Sequence, residues 1–386
     1  MPGSPVQYVV GQHEIQTVPE SVGVVFSILG LLSQALIGRE IKVPQRLNYV
    51  LAVGVWVLSF VLDPKRFPRI WGHGHWAYFR AWTSSIIPIW WLSLMAAALA
   101  VLLLKRARRP DPNRRHFLRA STAAVCAAVP ATVLATGIIN RKDFHVNEID
   151  ITFPKLPKDL EGLRLLQLSD VHMGTFYSAE DLRRVVDASN QLRADLVFVT
   201  GDLITTKSDP IDRCLAELSR LRSGSGIWGC MGNHELYSNL EGYTQRKARK
   251  FGIEFLREEA RVLTFGSSRL NLVGVDFRPW QELEETEGLV ALDSFNLLLA
   301  HTPEIFPQAA ERGFDLTLSG HTHGGQINID LLGTNLNVAD VHTPYTKGLY
   351  RLPTSAIYVN SGLGTIGLPV RLGAPAEITL IRLCST

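Results

Sequence analysis

The sequence predicts an all-α membrane region of about four helices at residues 1–140, followed by a layered α/β domain at residues 141–386. Two observations support this division. In the second part, short apolar runs alternate with helical patterns, and polar residues gather where several of these runs end. In the first part, four long apolar stretches have few or no charges, and they lie near residues 22–38, 47–62, 82–104 and 120–139.

The overall composition limits the classes of protein that need to be considered. Charged residues make up only 19% of the 386 positions, and the formal net charge is +3. This charge is too small to indicate a nucleic-acid-binding protein, so no nucleic-acid partner is expected. The four cysteines are scattered without a C-x-x-C pair, which argues against a zinc knuckle and against a disulfide framework.

The apolar stretches are typical of membrane spans, and their partner is therefore the lipid bilayer. None of them contains a charged residue, so they indicate an anchor instead of a transporter, which usually needs an ionisable group inside the membrane. The basic cluster at residues 105–119 predicts a cytoplasmic loop. With four spans, the α/β domain then lies on the extracytoplasmic side of a bacterial-type cell membrane, although basic residues between 63 and 80 argue against this orientation.

The segment Asn113-Arg-Arg-His-Phe-Leu-Arg119 precedes an alanine-rich run and is similar to a twin-arginine export signal. On that interpretation the export machinery is a partner. Such a signal normally begins a chain, however, and this one follows three predicted spans. The alternative is an ordinary basic flank of a span, and both interpretations stay open.

The second part predicts strands and helices in alternation. An edge strand is expected at Asn147–Phe153, and further strands at residues 163–168, 195–200, 227–231, 261–264, 270–275, 296–300, 314–319, 356–359 and 378–383. Helices are expected at residues 178–192, 211–221, 239–250 and 304–312.

Polar residues follow five of these strands at the point where each apolar run stops. They are Asp170 and His172, then Asp202, then Asn233, His234 and Glu235, then His301, and finally His321 and His323. In α/β folds this edge of a sheet is where ligand sites form. Mixed carboxylate, amide and imidazole groups suit Mn, Fe or Zn. The sequence therefore predicts a metal site.

The order D-x-H, G-D, G-N-H-E, H and G-H-x-H, spread over about residues 160–385, resembles the calcineurin-like metallophosphoesterase family. The resemblance implies a sandwich of two mixed β-sheets flanked by helices. It also implies two divalent metal ions, with Mn²⁺ the first choice and Fe or Zn as alternatives. One ion would be held by Asp170, His172 and His323, the second by Asn233, His301 and His321, with Asp202 bridging both.

The same resemblance implies a reaction. A metal-bridging hydroxide would attack a phosphodiester or pyrophosphate, with Asp202 and His234 as catalytic residues and His234 protonating the leaving oxygen. A site tethered to a bilayer suggests a lipid-linked or cell-envelope phosphoester, and hence a role in lipid metabolism. Two alternatives are a catalytically silent binding module with this fold and a UDP-diacylglucosamine pyrophosphatase on the cytoplasmic face.

The tail carries a second resemblance, to a membrane-anchored bacterial subgroup of phosphodiesterase-like proteins and relatives that cleave UDP-diacylglucosamine. The residues that carry it lie at 342–350, 360–364, 369–371 and 375–380. This resemblance implies that Tyr345, Asn360 and Arg371 face the substrate. The alternative is that the glycines of this region and their neighbours only shape a turn.

Overall fold

The computed structural model describes residues 135–278, 288–331, 334–341 and 343–386, together with scattered helical residues between 32 and 132. The chain divides into two compact units, residues 1–132 and 133–386. The four predicted spans lie mostly outside the described residues. Within the part that the structure describes, no helix has both the length and the apolar composition needed to cross a membrane.

The second unit contains fourteen described strands and five α-helices that follow β1, and residues 135–139 before β1 are also helical. The strands are β1 Phe144–Phe153, β2 Arg164–Leu168, β3 Leu196–Thr200, β4 Ile227–Cys230, β5 Ile253–Phe255, β6 Glu259–Phe265, β7 Ser268–Val275, β8 Phe295–Ala300, β9 Leu316–Ser319, β10 Asn328–Leu331, β11 Thr334–Asn337, β12 Gly348–Leu352, β13 Ser355–Val359 and β14 Ala376–Ser385. The helices are α1 Ala179–Gln191, α2 Ile211–Leu218, α3 Asn233–Tyr237, α4 Glu241–Arg249 and α5 Phe306–Glu311.

The strands form two six-stranded mixed sheets and a small hairpin. The first sheet has the order β1-β14-β2-β3-β4-β5, and the second has the order β12-β13-β9-β8-β7-β6. Neighbouring strands are parallel except for one antiparallel pairing in the first sheet, β14 with β2, and two in the second, β12 with β13 and β6 with β7. The hairpin joins β10 and β11. The two mixed sheets implied by the family resemblance are confirmed.

The sheets pack face to face because their buried strands alternate between two apolar clusters. In β3, Leu196 and Phe198 belong to the core between the sheets, whereas Val197 and Val199 belong to the core under α1 and α2. Successive side chains of a strand point to opposite faces, so a fully apolar strand can fill two layers. The second sheet has its own outer core, in which Phe314 and Ala309 of α5 are buried.

A buried glutamine bonds across the two sheets near the predicted site. Gln167 of β2 is fully buried and donates to Thr200 Oγ1 of β3 at 3.0 Å and to the Ser319 carbonyl of β9 at 2.9 Å. A buried amide costs free energy unless it is hydrogen-bonded. Gln167 therefore fixes the ends of three strands relative to each other, at the edge where the predicted site residues begin.

The structure differs from the predicted elements around residue 235. Instead of a single helix at residues 239–250, a short helix, α3, begins at Asn233, and α4 follows it. The reason is local: the Glu235 carboxylate accepts a hydrogen bond from the Gly232 backbone amide at 2.9 Å and so caps a new helical turn. His234 consequently lies on a helix and not on a loop.

Candidate metal centre

The carboxyl ends of β2, β3, β4, β8 and β9 meet at one edge of the sandwich and bring the predicted ligands together. Three groups of side chains have ligand atoms within 4.8 Å of one another: Asp170 with His172 and His323; His172 with Asp202 and His234; and Asp202 with His301 and His321. The remaining predicted ligand, Asn233, has its Oδ1 atom 3.1 Å from His301 Nε2.

The backbone at these positions is unusual. Asp170, His172, Asp202, His321 and His323 all have positive φ angles, between 45° and 70°. Non-glycine residues rarely adopt this left-handed conformation, although Asp and His tolerate it better than most, and the strain costs about 1–3 kcal/mol for each residue. Because five such residues lie close together, we infer that the surrounding hydrogen bonds stabilise a backbone conformation that is unfavourable in isolation.

Two glycines allow the strand ends to approach closely. A Cβ atom on Gly232 would lie 2.1 Å from Asp202 Oδ1, and one on Gly320 would lie 2.0 Å from Ser169 Oγ and 2.2 Å from Asp170 Oδ2. No side chain fits at these separations. The glycines of the G-N-H-E and G-H-x-H motifs are thus required by contact distances with the candidate ligands.

Asp202 lies between the two halves of the centre. Its Oδ2 atom is 3.2 Å from His301 Nε2 and 3.5 Å from His172 Nε2. In the first half, His172 Nε2 lies 3.1 Å from His323 Nε2, which lies 3.4 Å from Asp170 Oδ1. Asp202 is therefore the carboxylate placed to be shared by ligand groups on both sides.

The donor set fits divalent cations because its acceptor atoms face one another. His301 Nδ1 lies 2.7 Å from the Thr200 carbonyl oxygen, which can only accept, so Nδ1 carries the hydrogen. Nε2 then faces Asp202 Oδ2 at 3.2 Å and lies 3.2 Å from His321 Nδ1. Acceptors that converge in this way repel each other unless a cation or proton lies between them. Neutral imidazoles and carboxylates are ligands that Mn, Fe and Zn accept.

The electrostatics of the protein's own groups agree with a cation-binding cavity. Burial disfavours ionised Asp202, but His301 and His172 outweigh it and hold the pKa of Asp202 well below its usual value. Burial also disfavours charged His301, yet the Asp202 carboxylate raises the pKa of His301 to about 10. Burial raises the pKa of Asp170 to about 6 and lowers the pKa of His172 to about 3. A fully ionised Asp202 thus faces a position where positive charge is stabilised.

His234 is held in a defined orientation. Its Nδ1 atom lies 2.7 Å from the Thr205 carbonyl oxygen and therefore carries a hydrogen, and its backbone amide donates to Asp202 Oδ1 at 2.9 Å. Nε2 is then the nitrogen that can exchange a proton with a substrate. The His234 ring packs edge-on against the His172 ring at 4.9 Å, which places it beside the first ligand group.

Glu235 acts on the turn that carries Asp202. Its fully buried carboxylate accepts from the backbone amides of Asp202 at 2.9 Å and of Leu203 at 2.8 Å, as well as from Gly232. Burial, opposed by these hydrogen bonds, raises the pKa of Glu235 to about 7. In the sequence, Glu235 is one of the polar residues that follow the predicted strands. The structure shows that it orients the backbone of the shared carboxylate.

The residues expected to face a substrate from the tail are placed differently. Asn360 is fully buried, donates to Thr379 Oγ1 at 2.7 Å and accepts from the Gly362 amide. Arg371 is 4% exposed, and the Tyr345 ring packs against Phe306 at 5.5 Å. In this structure the side chains of Asn360 and Arg371 are both buried and hydrogen-bonded within the domain. The alternative interpretation, a shaped turn, describes these two residues.

Arg371 holds the turn of residues 361–364 together. Its guanidinium donates to the carbonyl oxygens of Ser361 at 2.9 Å, Gly362 at 3.0 Å, Gly364 at 2.5 Å and Ala374 at 2.8 Å. The amide of Gly364 in turn donates to the Asp170 carbonyl at 2.7 Å. Arg371 therefore supports the backbone of a candidate ligand through the turn.

We expect Arg371→Met to lower the melting temperature and to weaken Mn²⁺ binding by about 10–100-fold, because it leaves several buried carbonyls without donors. Arg371→Lys keeps the charge but cannot reach all of these carbonyls, so it should lie between wild type and Arg371→Met. Calorimetry with and without Mn²⁺ measures both effects. Unchanged metal affinity combined with lost substrate binding would instead place Arg371 at the substrate.

Sequence reasoning missed two supporting residues, Thr205 and Thr200. Thr205 Oγ1 lies 3.1 Å from His172 Nδ1, and the Thr205 carbonyl fixes His234. The Thr200 carbonyl fixes His301. Backbone carbonyls exist at every position, so no residue type could have marked these contacts in advance.

Comparison with known proteins identifies relatives of this domain. Residues 163–325 match the family described as calcineurin-like phosphoesterase. The chain is 32% identical over 279 residues to a "Transmembrane protein with metallophosphoesterase domain" from Danio rerio, covering 67% of this chain and 62% of that protein. It is 29% identical over 288 residues to the "Uncharacterized metallophosphoesterase YkuE" of Bacillus subtilis (strain 168), covering 71% of this chain and 98% of that protein. A Bos taurus protein with the same description as the zebrafish one is 30% identical over 71% of this chain and 64% of its own length. The chain thus spans less than two thirds of the two vertebrate proteins.

Proposed function

Since the chain belongs to the calcineurin-like metallophosphoesterase family through the domain that includes residues 163–325, we propose that it is a metal-dependent phosphoester hydrolase. The observation that carries this proposal is the convergence of the predicted ligands on Asp202 at one edge of the sandwich. Every motif residue that the chemistry needs is present in the chain, which argues against a silent binding module.

Two divalent ions are the cofactors we propose, with Mn²⁺ as the first choice. Asp170, His172 and His323 would hold one ion, and Asn233, His301 and His321 the other, with Asp202 shared between them. When bound, such ions supply Lewis-acid activation of the phosphate group and of water.

His234 would provide the proton for the leaving oxygen. Its Nδ1–H donates to the Thr205 carbonyl, so Nε2 alone is available toward the site. Histidine is the side chain that most often serves as a general acid or base in enzymes. The hydrogen bond from the His234 backbone amide to Asp202 Oδ1 holds His234 at a fixed position next to the shared carboxylate.

A membrane-tethered enzyme acting on a phosphodiester or pyrophosphate of a lipid or cell-envelope component is the finer form of the proposal. The uncharged apolar stretches of the first 140 residues support the tether, as does the description of the zebrafish and bovine relatives as transmembrane proteins. In this proposal the domain lies on the extracytoplasmic side, which the basic cluster at residues 105–119 supports and the basic residues between 63 and 80 oppose.

The proposal is tested with the full-length protein in detergent, purified with Mn²⁺. We expect hydrolysis of bis(p-nitrophenyl) phosphate to exceed that of p-nitrophenyl phosphate, to cease on chelation and to return when Mn²⁺ is added back. Bound metal with no hydrolysis of either ester would contradict the proposal. Faster hydrolysis of the monoester would still agree with a phosphoester hydrolase, but it would contradict the proposed preference for diesters.

A further inference from the structure

Two aromatic rings stand at the edge of the candidate metal centre. Tyr237 is the last residue of α3, and its side chain is 61% exposed. Phe277, two residues beyond the end of β7, is half-buried. The two rings meet edge to face, with their centroids 6.0 Å apart.

Each ring also contacts a histidine of the site. The Tyr237 centroid lies 6.1 Å from that of His234, the proposed acid. The Phe277 centroid lies 6.3 Å from that of His321, a proposed ligand of the second ion. The rings thus form a continuous wall from one histidine to the other, and a group attached to a phosphate bound between these histidines would come close to it.

Core packing does not account for this pair. A single exposed apolar side chain is normal on a protein surface and needs no explanation. Here, however, the more exposed ring is neighbour to a second aromatic ring and to the proposed acid. A tyrosine that is 61% exposed buries too little area to contribute much to the stability of α3.

We propose that Tyr237 and Phe277 bind an apolar organic group, aromatic or aliphatic, that the substrate carries on its phosphate. This inference rests on the proposed function and narrows it, because it favours esters of apolar alcohols over esters of small polar ones. Aromatic side chains bind flat or apolar groups through their faces and edges, and a contact of this kind changes affinity by up to about tenfold.

Phosphonates with a single organic group test the wall independently of turnover. Methylphosphonate, hexylphosphonate and phenylphosphonate bind a metal centre through the same phosphonate oxygens and differ only in the attached group. We expect the full-length Mn²⁺ protein to bind the phenyl or hexyl compound about tenfold more tightly than the methyl compound, as measured by calorimetry or by inhibition. Preference for phenyl over hexyl would identify an aromatic group, and the reverse an aliphatic chain.

Variants of Tyr237 and Phe277 test whether these two rings cause the preference for the larger phosphonates. Tyr237→Ala and Phe277→Ala should each reduce it severalfold while methylphosphonate affinity stays constant, and Tyr237→Phe, which keeps the ring, should retain it. The matched control is Tyr243→Ala, because Tyr243 is also an exposed tyrosine, on α4, and bonds to Asp212. Equal binding of all three phosphonates, or a preference unchanged in both alanine variants, would overturn the inference. Failure of methylphosphonate itself to bind would instead count against the metal centre.

Discussion

Replacing Asp202 by asparagine is expected to abolish divalent-metal binding and hydrolysis together. Asparagine has the same shape and tolerates the positive φ angle of 54° at this position. Its Oδ1 atom can still accept from the His234 amide, and its Nδ2 group would donate to Nε2 of a neutral His301, the nitrogen that the carboxylate faces in the wild-type protein. In the variant, the polar atoms around residue 202 can hydrogen-bond to each other without a cation. The negative charge that would attract a cation is also lost.

The expected loss of kcat/KM is at least about 10³-fold, since metal activation supplies several kcal/mol and each 1.4 kcal/mol is tenfold in rate. Calorimetric titration with Mn²⁺ and the diester assay measure the two effects in parallel. Asp195→Asn is the matched control, because Asp195 also accepts a backbone amide, that of Arg164, but lies at the other end of β3. An Asp202→Asn protein that binds Mn²⁺ normally would show that this carboxylate is not shared between ions.

Replacing His234 by alanine is expected to lower turnover by about 10²–10⁴-fold while the metal content stays the same. None of the proposed metal ligands is removed, and the Asp202 carboxylate keeps its other contacts. Because the lost group is an acid for the leaving oxygen, the loss should be largest for phosphodiesters of poorly acidic alcohols. It should be smallest for nitrophenyl esters, whose leaving group needs little protonation.

Metal analysis of the purified variant and a comparison of nitrophenyl with alkyl leaving groups measure these effects. His145→Ala serves as the control, since His145 is exposed and bonds only the Ala376 carbonyl, on the strand pair β1–β14. A uniform loss across all leaving groups would indicate that His234 binds the phosphate without acting as an acid. A loss of metal would make it a ligand.

The strand ends of the candidate site could be predicted because an apolar run stops and a polar motif begins at each of them. Apolar runs such as Leu196–Thr200 define strands on their own, and Asp202 follows directly where the run stops. Parallel strands that share an edge bring such residues together whatever the exact loop geometry. For this reason the sequence order alone was enough to place the seven candidate ligands in one region.

Other parts of the site depend on information that is not local. The left-handed turn at Asp170 is supported by the 361–364 turn, about 190 positions later in the chain, which is held by Arg371. No sequence pattern marks the 361–364 turn as a support for Asp170. Arg371 and Asn360 were therefore expected at the substrate, whereas in the structure both side chains are buried and hydrogen-bonded within the domain. The short helix α3 was missed for a related reason, since a five-residue helix has no period long enough to detect.

The position of β14 has a consequence for how a newly synthesised chain acquires its site. β14 lies between β1 and β2 in the first sheet, although it is the last of the described strands in sequence. The strands of the second sheet are all present once residue 359 has been made, but β1 and β2 have no partner between them until residues 376–385 emerge from the ribosome. The supporting turn at 361–364 and Arg371 also appear late. We therefore expect the contacts that support Asp170 to form only when translation of the domain is nearly finished.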